Sequence, residues 1–310
     1  MDIRNLLTRI LGEFPKRIKS ENSSLADELA CVYVNCWDYS ASDTADLPNE
    51  SISFLGELKA CYKDLSNGLL GSNMHFVWLL AHLSRENILE RPKELMSMAY
   101  DAVNRNAAYY NNSPIQVDLR ERFYSIGVGM LSLYDHSDTI SRYVWEEQII
   151  FKLCDCEKFL TTDISHLYSP TQLTAGILHS VIAFANLAIK YKIYPYKAYQ
   201  IKEIASTLHF DLTKSNDNDI VILDLMCNRL VSTDISSFSD DSWCRLLSEG
   251  GMLSTMYEED SLFSKLLQLA YEFHPEIIAR LLGSDVPEDY LPGIAMGLIN
   301  IINNDETEHQ

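Results

Sequence analysis

Residues 68–83 read GLLGSNMHFVWLLAHL and are apolar nearly all round. A helix that is hydrophobic on every side must be buried on every side. Three further stretches have the same character: residues 123–133, 176–189 and 293–302. Between them lie segments of a second kind. Ile201, Ile204, Ala205 and Leu208 recur at helical spacing, as do Leu262, Leu266, Leu269 and Phe273. Pro92, placed for a first helical turn, leads Leu95, Ala99, Ala102 and Val103. These are helices with one wet face. Alternation of fully buried and wet-faced helices predicts an all-α chain arranged as an α/α barrel, with the buried set inside and the amphipathic set outside.

The buried stretches share small residues near their starts: NGLLGSNMHF, RFYSIGVGML, GILHSVIAFA and PGIAMGLINI, with WCRLLSEGGMLSTMY a weaker fifth. Taking Gly71, Ser125, Ser180, Leu246 and Gly293 as equivalent points, the intervals are 54, 55, 66 and 47 residues. Each interval holds two helices and their loops, so one helix pair is the repeating unit. Glycine at such a start lets neighbouring backbones crowd together. Linkers fall at 111–114, 161–170, 214–219 and 232–242, and residues 303–310 read as a polar, frayed tail. None is strong enough to divide the chain. It reads as a single domain over 1–310, with N-terminal helices within 1–50 (1–14 and 23–37), repeats over 51–303 and the tail beyond.

Composition excludes several classes. The 310 residues are 47% hydrophobic, too apolar for disorder, and only 12 glycines and 9 prolines argue against a turn-rich β protein. A net charge of −19 repels nucleic acid, and no Lys/Arg run interrupts it. The mildly basic stretch from Arg4 to Lys19, interleaved with Leu6, Leu7, Ile10 and Leu11, reads as a surface helix with its apolar side on the core. No secretory signal or membrane-spanning run is visible, and the seven cysteines include no C-x-x-C. Free cysteines and a cytoplasmic location are the expectation.

The small-residue repeats of the form G-L-x-x-G resemble the lanthionine-cyclase (LanC-like) family, on repeat pattern over roughly residues 50–303. The resemblance implies an α/α toroid that adds cysteine thiols to dehydrated Ser/Thr of a precursor peptide, with the thiol activated by zinc. The family's landmarks are an aspartate leading one inner helix, the histidine of A-H-G, the cysteine of W-C-Y-G, and the Cys-His of C-H-G. Asp118 in DLRERFYSIG is similar to the first, with Arg122 and Ser125 at the glycine positions. His179 in GILHSVIA matches the second, with Ser180 for glycine. Trp243-Cys244 matches the third, followed by Arg245 and Leu246, with Asp240 where an arginine usually stands four residues earlier. Leu291-Pro292 occupy the Cys-His position before Gly293. A catalytic zinc normally has three protein ligands, and of these only Cys244 remains. The resemblance therefore implies catalytic candidates Asp118 and His179, a single metal-ligand candidate Cys244, and no zinc or other cofactor retained.

Each residue also has a plainer reading. Asp118 can cap the helix it precedes; His179 can be a satisfied core histidine; Cys244 beside Trp243 can be packing. His75 and His82 share a helix face with no acidic or cysteine partner and read as structural. His274, before Pro275, lies in an outer-helix pattern and is a poor substitute ligand. Three functions follow. The first is a degenerate LanC-like protein that binds a peptide or protein partner without zinc-dependent cyclisation. The second is an active peptide-modifying enzyme with a rearranged site around Asp118, His179 and Cys244. The third is a helical scaffold.

Overall fold

Helix α10 (Leu291–Glu308) is buried from Leu291 to Ile302 except at half-buried Asn300, because the sequence there is apolar on every side. It comes from a computed structural model that describes residues 3–13, 25–41, 78–79, 82, 134, 139–163, 175–208, 216–259, 261–282 and 286–308. Among the described residues all regular structure is helical and there is no strand. In order these helices are α1 (Ile3–Glu13), α2 (Leu25–Ala41), α3 (Thr139–Lys158), α4 (Ala175–Lys190), α5 (Pro195–Thr207), α6 (Asp217–Met226), α7 (Asp240–Met256), α8 (Leu262–Phe273), α9 (Pro275–Leu282) and α10. Their contacts divide into two compact units, one of residues 1–64 with 233–310 and one of residues 65–232.

In the first unit, α7 and α10 pack along a seam of small residues. A Cβ at Gly251 on α7 would collide with the backbone carbonyl oxygen of Gly293 on α10, and one at Gly293 would collide with the carbonyl oxygen and hydroxyl of Ser248. The backbones can approach this closely only because neither residue has a side chain. The Thr255 hydroxyl lies 3.0 Å from the Met296 carbonyl across the seam and 3.0 Å from the Gly251 carbonyl on its own helix, so one bifurcated bond spans both helices. Helices α1 and α2 pack on α10 as well. Leu6, Leu7 and Ile10 face the core and Leu11 is half-buried, as the N-terminal pattern predicts.

Helix α7 starts where Ser239 accepts the Ser242 amide at 3.2 Å, with Asp240 and Asp241 in the first turn to complement the helix dipole. On α8 the buried face is Leu262, Phe263, Leu266, Leu267 and Ala270. The predicted stripe through Leu269 and Phe273 is displaced: Leu269 is half-buried and Phe273 exposed. Phe263, Leu267 and Ala270 widen the apolar face, and the core takes its other edge.

In the second unit, α4 is the central element, with α5, α6 and α3 packed against it. All of α4 but Asn186, Ile189 and Lys190 is buried. Helix α5 shows one apolar face, Ala198, Ile201 and Ala205, and is tied to α3 by Lys197 Nζ, which donates to both carboxylate oxygens of Glu157 at 2.8 Å. On α3, Trp145, Ile149, Leu153 and Cys156 form the buried stripe while Cys154 is exposed, so the two neighbouring cysteines diverge as their spacing requires. The α4–α5 turn is strained: Lys192 and Tyr194 both have positive φ, 58° and 44°. For residues with bulky side chains this conformation costs about 1–2 kcal/mol each. It is offset by Ile193, which is buried between them.

Three linker boundaries and the tail need correction. Residues 240–242 of the linker 232–242 already belong to α7. Residues 161–163 are not loop but part of a π-helical turn, Phe159–Asp163, that closes α3. Within 214–219, Asn216 caps α6 by accepting the Asn218 amide at 3.0 Å, so Asp217 and Asp219 are helical. The cap outweighs the poor helix propensity of the Asn/Asp run. The segment read as a frayed tail continues α10 to Glu308.

Gly251 in the seam and Gly12 on α1 carry opposite predictions. Gly251→Ala is expected to destabilise the protein by about 1–3 kcal/mol through overpacking. Gly12→Ala, where a Cβ meets nothing within 4 Å, is expected to stabilise it by up to about 1 kcal/mol. Urea unfolding of both variants checks the sign. A neutral Gly251→Ala would show that the helices do not meet there.

Candidate functional site

His179 sits on α4, in the centre of the second unit, and is fully buried. Its Nε2 lies 3.1 Å from Oδ1 of Asp219, forty residues later in the first turn of α6. The local sequence makes room for this pair. Gly176 is one turn before His179, and a Cβ on it would stand 3.0 Å from Oδ2 of Asp219. Ser180 turns its hydroxyl back onto its own helix, donating to the Gly176 carbonyl at 2.7 Å. Asp219 is itself buried, and its position near the α6 N-terminus favours the carboxylate.

An ionised carboxylate only accepts, so a neutral His179 carries its hydrogen on Nε2 and keeps Nδ1 as its basic nitrogen. A buried imidazole oriented by a carboxylate is the arrangement that general acid–base chemistry uses. The same contact also serves as plain burial of a paired polar group.

Cys244 lies on α7 in the first unit and is buried. Burial pushes its thiol up to about 11, outweighing the Arg280 guanidinium that pulls it down. The thiol is therefore protonated near neutrality and is a weak nucleophile. Its neighbour Trp243 is also buried, stacked on the His274 ring at 6.2 Å with 8° between planes and met edge-on by Phe238 at 5.9 Å.

Asp240, at the position where the resemblance expects arginine, collects two partners from later in the chain. His274 Nε2 lies 2.7 Å from its Oδ1, and Arg280 on α9 pairs with its Oδ2. These contacts, the His274 hydrogen bond first, hold the Asp240 carboxyl below the usual aspartate range. Beside it Asp241 pairs with Arg245 at 3.3 Å and accepts the Tyr290 hydroxyl at 2.7 Å.

The residues at the family's zinc positions do not fit the metal. Leu291 and Pro292 are buried in the first turn of α10 and carry no side-chain donor. Cys244 offers one sulfur. His274 is engaged by Asp240 and stacked on Trp243. Among the described residues no three His, Cys, Asp or Glu side chains are grouped to hold a metal.

Asp118 and His75 lie outside the described residues. His179 and Cys244 belong to different units, and each is described in its own. His82 stacks on Trp78 at 5.4 Å. Sequence reading missed Asp219, which it placed in a linker. The available signal was the Asn216 cap with an acidic residue three positions on, just before the apolar run IVIL. It also missed a lysine–tyrosine tract at residues 190–202, legible as KYKIYPYKAYQIK. No helix among the described residues is long and apolar enough to cross a membrane.

Removing the carboxylate by Asp219→Ala is expected to cost about 1–3 kcal/mol, because His179 loses a buried partner. Asp219→Asn, which still offers an acceptor oxygen, is expected to cost less. Equal unfolding midpoints for wild type and Asp219→Ala would remove the pair from the account.

The chain matches no protein-family model, and no curated protein or solved structure is significantly similar to it.

Proposed function

We propose that the chain is a divergent LanC-like α/α toroid, cytoplasmic, that binds a peptide or protein partner and has given up zinc-dependent cyclisation. The observation that carries this reading is the first turn of α10. Where the family places Cys-His, Leu291 and Pro292 are buried, and the following Gly293 is pressed against Ser248 of α7. The turn is committed to packing, and rebuilding a ligand pair there would open the seam. The toroid is supported by the contrast between α4 and α10, buried on all sides, and α5 and α8, each with one wet face. The six described cysteines form no disulfide, which suits a reducing compartment.

The His179–Asp219 pair favours a second reading, a peptide-modifying enzyme that works without the metal. In that case His179 would move a proton at Nδ1 while Asp219 holds the ring. Thioether formation on a dehydrated, cysteine-containing peptide, lost on His179→Gln with the fold intact, would establish it over the first.

Elemental analysis of protein purified from zinc-supplemented cells tests the primary reading. Zinc far below one per chain is expected. Stoichiometric zinc that Cys244→Ser abolishes would overturn it.

A further inference from the structure

We propose that the α4–α5 turn and the exposed face of α5 form a docking surface for acidic peptide segments. The inference deepens the reading of the chain as a peptide- or protein-binding protein and rests on it.

Residues 190–202 contain four lysines, four tyrosines and no acidic residue, in a chain with 25 basic and 44 acidic residues. The structure shows what this tract displays. Ile193 plugs the turn into the core, and Ala198, Ile201 and Ala205 hold the opposite face of α5. Lys197 is spent on Glu157. What stands outward is Lys192 together with Tyr194, Tyr196 and Tyr199, the three tyrosines 43%, 78% and 58% exposed. Tyr196 and Tyr199 are three apart on one helix and so are neighbours on its surface. The positive φ values at Lys192 and Tyr194 set their side chains on the outer side of a turn that any relaxed conformation would rearrange.

Tyrosine and lysine together define the ligand. Tyrosine gives rigid, amphipathic contact area at small entropic cost, and aromatic residues are enriched at the centres of interfaces. Lysine supplies the charge that carboxylates complement. The size of the island selects among anions. Its helical part runs from Pro195 to Lys202, ending before the exposed Glu203, about 12 Å, which roughly four extended peptide residues span. Duplex nucleic acid or an anionic bilayer would extend beyond the island onto a chain whose net charge is −19. Charge repulsion there acts over about 8–10 Å at ordinary salt and opposes them. A short acidic segment meets only the attractive part.

The test uses the full-length chain on an array of random-sequence peptides of about ten residues, ranging from net negative to net positive. Hits are measured by fluorescence anisotropy beside a single-stranded oligonucleotide and phosphatidylserine vesicles. Binding is expected to rise with negative peptide charge, to weaken with salt, and to fall by about tenfold or more in Lys192→Glu and in Tyr196→Ala/Tyr199→Ala. Circular dichroism and unfolding midpoints are expected to stay at wild-type values, since these side chains are exposed. Peptide binding that both variants retain would overturn the surface while leaving the peptide-binding reading standing. Failure to bind peptides of any charge would overturn both. Tighter binding of the oligonucleotide or the vesicles would replace the acidic peptide as the ligand.

Discussion

Helices α7 and α10 meet backbone to backbone at Gly251 and Gly293, and the packing of the first unit follows from that approach. Two helices with ordinary side chains stand 8–10 Å apart. Glycine at the crossing brings them closer, so that the Thr255 hydroxyl reaches the Met296 carbonyl on the facing helix. The close fit also explains why Phe263 of α8 can lie over Gly297: a Cβ there would enter its ring. Helices α1 and α2 then cover α10 from another side, and α10 has no wet face over its first three turns. A seam of this kind tolerates little change in volume, because interiors are already close-packed.

The chemistry near the seam is consistent with a structural role for it. By resemblance, α7 and α10 are the two helices that a zinc ion would join, through a cysteine on one and Cys-His on the other. Cys244 on α7 is a buried, protonated thiol and its counterpart on α10 is Leu291-Pro292. Asp240, standing where the resemblance expects a cation, draws His274 and Arg280 onto its two oxygens. These partners come from the junction that follows α8 and from α9. In the other unit, His179 and Asp219 pair through Nε2 and Oδ1 in the interior and keep the geometry of an oriented imidazole. The proposed function gives the seam the place of the metal and leaves recognition to the surface.

Much of the helical framework was legible because burial dictates periodicity. Helices α4 and α10 read directly from sequence as apolar on all sides, and α1 and α2 as continuous segments with the bounds found to within a few residues; α5 was legible only as a stripe, of which Ile204 and Leu208 are half-buried. The wet side of α8 was harder, since Phe263, Leu267 and Ala270 made two adjacent stripes equally plausible and only the neighbouring helix chooses between them. Glycine crowding was foreseen at Gly293 but not its partner Gly251, which lay in the weakest of the repeats. Asp219 was lost to a linker because an Asn/Asp run looks like a turn until its cap is seen. The pairing of Asp240 with His274 and Arg280, 34 and 40 residues on, is a tertiary fact with no local signature.

The central claim is that direct packing, not a metal, joins α7 to α10. Thermal unfolding measured before and after exhaustive chelation under denaturing conditions, followed by refolding in metal-free buffer, tests it most directly. The account predicts the same midpoint and the same recovery of helical signal in both samples. A midpoint that drops on chelation and returns only with added zinc would contradict it.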